Sequence, residues 1–146
     1  MRIKSAAREA ADLDDGTLLE WAVARKNRGN DLYRAGDFVE ASEVYLQALV
    51  ALRPAEPAGG ATRLVCAPEV RDGIQVPVLC NLAACKLALK EPEVALQLCT
   101  LALEASDTCL KAWLRRSKAN AMLGRLAVSA TDRDAAAGLA DTEASR

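Results

Sequence analysis

The stretch KNRGNDLYRAGDFVEASEVYLQAL, residues 26–49, decides the fold. Apolar residues recur at three- and four-residue spacing on both sides of Gly36-Asp37, which is the pattern of two amphipathic helices. The glycine closes the first helix and makes the connection a tight turn. Gly29, Ala41 and Ala48 are small where two helices must approach closely, and Tyr45 is large enough to fill the space beside them. One helix pair cannot bury its own apolar face, so further pairs must stack on it.

Two more stretches answer that demand. Residues 76–104 read VPVLCNLAACKLALKEPEVALQLCTLALE, and residues 110–124 read LKAWLRRSKANAMLG. Placing small residues at positions 8, 20 and 27 of a common unit aligns all three stretches. The small residues are then Gly29, Ala41 and Ala48, then Ala83, Ala95 and Ala102, then Ser117, Ser129 and Ala136. Unit starts fall at 22, 76 and 110, so the second interval is 34 residues and the first is 20 longer. The surplus coincides with residues 53–73, RPAEPAGGATRLVCAPEVRDG, whose prolines and glycines predict a loop or partly disordered insertion.

The expected organisation is an N-terminal extension (1–16), repeat one (about 22–53), an insertion (54–73), repeat two (about 76–107), repeat three (about 110–141) and a tail (142–146). Helical periodicity covers 17–35, 38–52, 78–89, 93–105 and 108–123. Residues 70–76 can add a leading turn to the third of these, with Pro77 tolerated near its start. Pro92 suits a first helical position, Ser106 or Asp107 an N-cap, and Gly124 a helix end. The final stretch, VSATDRDAAAGLADTEASR, is weakly apolar. The second helix of repeat three is therefore expected to be the weakest element.

Composition narrows the function. Alanine and leucine dominate an apolar half of the chain while aromatics make up only 3%, which favours closely packed helices over a β-sandwich. A net charge of -1 offers no basic field for nucleic acid. No apolar run approaches the roughly 18 residues of a membrane span, and MRIKSAAREAADLDDG has no hydrophobic signal core. With no histidine, the usual general base and the commonest metal ligand are both missing, so neither enzymatic activity, a metal nor a cofactor is expected. Cys66, Cys80, Cys85, Cys99 and Cys109 form no C-x-x-C and read as reduced thiols, with Cys80, Cys85 and Cys99 as small core residues. The cytoplasm is the expected compartment, with the nucleus as an alternative.

With these motifs in place, the chain resembles the tetratricopeptide-repeat (TPR) family over roughly residues 20–140. The long connection between repeats one and two is similar to that of the immunophilin and cochaperone branch. The resemblance implies an all-α superhelix of three helix–turn–helix repeats, with the first helix of each lining a concave face.

Five residues stand out in repeat register: Lys26 and Asn30 in repeat one, Asn81 in repeat two, and Lys111 and Arg115 in repeat three. The set resembles the carboxylate clamp of TPR cochaperones, which bind the Glu-Glu-Val-Asp terminus of heat-shock proteins 90 and 70. The resemblance implies that Lys26, Asn30 and Asn81 take the terminal carboxylate, Lys111 the last Asp side chain, and Arg115 a point further up the peptide. The residue types suit the task. Lys26 and Asn30 share one helix face, as do Lys111 and Arg115. Charged and amide donors together can hold two carboxylates by charge-assisted hydrogen bonds. A scaffold that packs on another globular partner, or on itself through an uncapped third repeat, is the alternative. In either case the chain is expected to be a monomer or a weak homo-oligomer, an uncapped repeat edge being what would favour self-association.

Overall fold

The computed structural model describes residues 14–52 and 68–144, with backbone only at 15 and 141–144. Residues 1–13 of the expected extension, 53–67 of the expected insertion, including Cys66, and the last two residues lie outside the described residues. Among the described residues every regular element is a helix and there is no strand. Helix α1 is Asp15–Arg34, α2 Phe38–Ala51, α3 Val76–Ala88, α4 Pro92–Ala105, α5 Leu110–Met122 and α6 Leu126–Ala144. Each helix packs on the next in sequence, and α1, α3 and α5 also touch in that order. No helix among the described residues is long and apolar enough to cross a membrane.

The turn inside each helix pair is the same in all three repeats, and its backbone bonds show why. Gly36, Lys90 and Gly124 stand at the same repeat position, and all three are left-handed, with φ of 82°, 63° and 78°. In the first turn Asp37 N–H donates to the Leu32 carbonyl at 2.9 Å, and Gly36 N–H to that of Tyr33 at 3.0 Å. Glu91 to Lys86 and Arg125 to Asn120 repeat the wider bond, each at 2.8 Å. This double bond pattern satisfies helix-end carbonyls that would otherwise lack partners. Glycine reaches the left-handed region without strain; Lys90 reaches it against the steric preference of a Cβ.

All nine small residues at positions 8, 20 and 27 are buried. Gly29 shows what the smallness achieves. A Cβ built there would stand 2.5 Å from the Tyr45 ring, closer than any real contact. Around this pair a core of Leu18, Ala22, Ala41, Tyr45, Val78 and Leu82 joins α1, α2 and α3. Two smaller clusters continue it, one through Cys80, Ala102 and Ala112, the other through Ala83, Ala95, Cys99 and Ala119.

The third repeat is held differently. Helix α6 runs to Ala144, although its sequence is only weakly apolar. Ser117 and Ser129 exchange side-chain-to-backbone bonds of 2.9 and 2.8 Å. Asp132, 1% exposed, accepts two bonds from Arg116, at 3.1 and 2.9 Å, and one from Asn120 at 3.0 Å. Arg116 also stacks on Trp113, 4.8 Å from the ring centre. The buried groups of Ser117, Ser129, Asn120 and Asp132 are thus partnered with one another and with Arg116, the condition under which a buried ion pair is tolerated.

Two local expectations need correction. The cap of α5 is Cys109, not Ser106 or Asp107. Ser106 instead ends α4, donating its N–H to the Ala102 carbonyl at 2.8 Å, and the Asp107 carbonyl accepts the Trp113 indole N–H at 2.7 Å. Residues 68–73 of the expected loop are also helical: a short lead, Pro68–Val70, and a wide π turn, Arg71–Gln75, run without a break into α3 and contain the leading turn expected over 70–76. Pro77 has no N–H to give the Gly73 carbonyl one turn back. Lys26 Nζ donates to that carbonyl instead, at 3.0 Å, tying α1 to the π turn.

Candidate anion-binding groove

Helices α1, α3 and α5 bring Asn30, Asn81, Lys111 and Arg115 to one cleft of about 300 Å³. They are four of the five residues singled out by repeat register. Tyr33, Arg34 and Tyr45 complete the lining, so the cleft holds three cationic side chains and no carboxylate. Asn81 and Lys111 also line a neighbouring cleft of about 520 Å³, which has Arg71 and Asp72 in its lining as well.

The amide of Asn30 is oriented from behind. Its Oδ1 accepts from the Tyr45 hydroxyl at 2.5 Å and from Asn81 Nδ2 at 3.2 Å. With the oxygen occupied twice, the Asn30 amide hydrogens are left as donors. Asn81 gives one of its two amide hydrogens to this bond and keeps the other. Burial pushes the Tyr45 hydroxyl up to about 12, so it stays a proton donor at any physiological pH.

Arg115 supplies the strongest local demand for an anion. Its Nη1 is buried and has no hydrogen-bond partner. A buried donor of a charged group left unpaired costs more than a neutral one, and a carboxylate in the cleft is the chemistry that would meet it. Lys111, one turn earlier on α5, is exposed and of the same charge. Two like charges at this spacing repel mildly in the absence of an anion. Among the described residues no group of three or more Cys, Asp or Glu could hold a metal ion.

No protein-family model matches the chain. A human relative, FK506-binding protein-like, is 34% identical over 125 residues, which is 86% of this chain and 32% of that protein. The chain thus spans about a third of the length of the curated relatives it matches. Among solved structures, a multi-domain immunophilin from Arabidopsis thaliana is similar at TM-score 0.75 and 26% identity, over 89% of this chain and 48% of that one. The second TPR of Spaghetti (RPAP3), bound to the HSP90 peptide SRMEEVD, is similar at TM-score 0.67 and 24% identity, over 86% and 96% of the two chains. The fold is that of a tetratricopeptide-repeat (TPR) domain.

In this TPR domain the fifth predicted residue stands apart. Lys26 is not in the cleft lining and spends its ammonium on the Gly73 carbonyl. It lies one turn before Asn30 on the same face of α1, so the groove is within reach of its long stem only if that bond is released. Sequence reasoning also missed members of the lining. Tyr33, 36% exposed, is one of them. Arg34 carried no signal beyond a basic residue at a helix end; it lines the cleft while pairing with Asp31 at 2.9 Å.

Proposed function

We propose that this TPR domain is a cochaperone-type adaptor that binds the acidic C-terminal peptide of a heat-shock protein 90 or 70 type chaperone. The observation that carries this reading is the convergence of Asn30, Asn81, Lys111 and Arg115 on one cleft whose lining has no carboxylate. The terminal carboxylate accepts from the Asn30 and Asn81 amides, and Lys26 joins them by leaving Gly73. Lys111 takes the last Asp side chain. Arg115 uses its unpartnered Nη1 on an acceptor further up the peptide. The peptide-bound state of the similar RPAP3 domain supports the same occupant. The event is binding, without a reaction. A short peptide held largely by charge has micromolar affinity that falls as salt rises.

Calorimetric titration with a peptide ending in Glu-Glu-Val-Asp tests the reading. Lys111→Ala or Asn81→Ala each weakens binding by roughly tenfold or more, the effect of losing one charge-assisted hydrogen bond. Amidating the peptide's C-terminus removes binding. An amidated peptide that binds as well as the free acid would sink the proposal.

A second reading, a scaffold that packs on another protein or on itself, draws on the third repeat. Leu114, Leu126 and Val128 are 48%, 69% and 48% exposed there, and exposed apolar clusters mark interaction surfaces. Sedimentation across a wide concentration range checks self-association; an unchanging monomer would remove the homotypic form of this reading.

A further inference from the structure

Cys80 and Cys109 are 29 residues apart in sequence, yet their sulfurs lie 3.3 Å apart. Cys80 belongs to the middle of α3 and is 1% exposed, whereas Cys109 caps α5 and is half-buried. Both line the larger cleft, beside Asn81 and Lys111. A disulfide requires sulfurs about 2.05 Å apart, so a shift of little more than an ångström at the start of α5 would join them.

The two thiols are unequal in a useful way. The hydrogen bond with Cys80, aided by the Ala112 amide, the Arg115 charge and the Lys111 amide, holds the Cys109 thiol below its ordinary value against the opposing effect of burial. The same bond, followed by burial, pushes Cys80 up. Cys109 is thus the accessible thiolate, and Cys80 is a protonated thiol directly behind it. Cys85 and Cys99 share neither feature. Both are buried, neither lines the cleft, and burial pushes both thiols up, Cys99 to about 12.

We propose that Cys80 and Cys109 form a reversible, peroxide-responsive disulfide across the groove between repeats two and three. The Cys109 thiolate attacks one oxygen of hydrogen peroxide, the O–O bond breaks, and the departing hydroxide takes a proton to leave as water. The Cys80 sulfur then attacks the resulting sulfenic acid. The S–S bond forms, the S–O bond breaks, and the Cys80 proton leaves with the hydroxyl as a second water. Two electrons have passed from the sulfur pair to the peroxide, and a small thiol reverses the change by exchange. The bridge draws the start of α5 onto α3 and narrows the cleft between Asn81 and Lys111.

The test treats the full chain, and a Cys66→Ser variant, with hydrogen peroxide, blocks remaining thiols by alkylation and maps the peptides by mass spectrometry. The expected product links Cys80 to Cys109, leaves Cys85 and Cys99 alkylated, and returns to free thiols with dithiothreitol. Cys80→Ser stops the sequence at a Cys109 sulfenic acid that dimedone traps, and Cys109→Ser leaves Cys80 reduced. Full alkylation of both cysteines after peroxide, or a dimedone adduct at Cys109 in the unaltered chain, would overturn the proposal. The effect on the groove rests on the peptide-binding reading above: the oxidised chain binds the acidic peptide several-fold more weakly than the reduced one. Equal affinity would break the link between the sulfurs and the groove, and absence of binding in both states would count against the peptide reading while the mass map still decides the disulfide.

Discussion

In the first repeat, Gly29 and Ala41 are buried with the ring of Tyr45 pressed against the glycine. At the same two positions of the third repeat stand Ser117 and Ser129, joined by hydrogen bonds, with the Arg116, Asp132 and Asn120 cluster one turn away. Both repeats have the same turn geometry and the same close helix approach. The repeat backbone therefore asks for little volume at these positions, and it accepts either contact with a ring or a matched pair of hydroxyls. The two solutions fail differently. Apolar packing responds to volume, while a buried polar cluster responds to the loss of any one partner.

Asp132→Ala should have the largest effect. It strands the Arg116 guanidinium and the Asn120 amide without their common acceptor, and removing one partner of such a cluster costs about 3 kcal/mol or more. Denaturant unfolding should show that loss, and hydrogen exchange should place it first in α6. Unchanged protection along α6 would mean that the polar cluster is not what holds the helix. Gly29→Ala comes next. Its extra methyl meets the Tyr45 ring, and overpacking of about 1–3 kcal/mol exceeds the roughly 1 kcal/mol an alanine gains in a helix. A variant more stable than the parent would show that the first repeat can shift to admit a methyl. The smallest change runs the other way. Lys90→Gly relieves the left-handed residue in the middle repeat and should stabilise the fold by about 1 kcal/mol. A higher thermal midpoint with unchanged secondary structure is the expected sign.

The repeat plan was legible because small residues recur at fixed spacing, and each of them is buried. The glycine turns were legible for the same reason, but Lys90 was not, since nothing in a lysine announces a left-handed backbone. Helix α6 looked weak because periodicity counts apolar residues, whereas its anchors are polar groups whose partners lie 12 or 16 positions away. The groove residues could be named from register, and the structure brings four of the five together. Lys26 departs because a proline far along the chain freed a carbonyl within its reach. The Cys80 and Cys109 contact was invisible for a similar reason: no short motif joins residues that meet only when two repeats stack.

Tyr45 belongs to two parts of the molecule at once. Its ring fills the space over Gly29, and its hydroxyl turns the Asn30 amide so that its hydrogens are the groups on offer. One oxygen atom thus carries information from the interior of the first repeat to the groove. A change at Tyr45, or at Gly29 under its ring, therefore alters what the groove presents even where Asn30, Asn81, Lys111 and Arg115 are all kept.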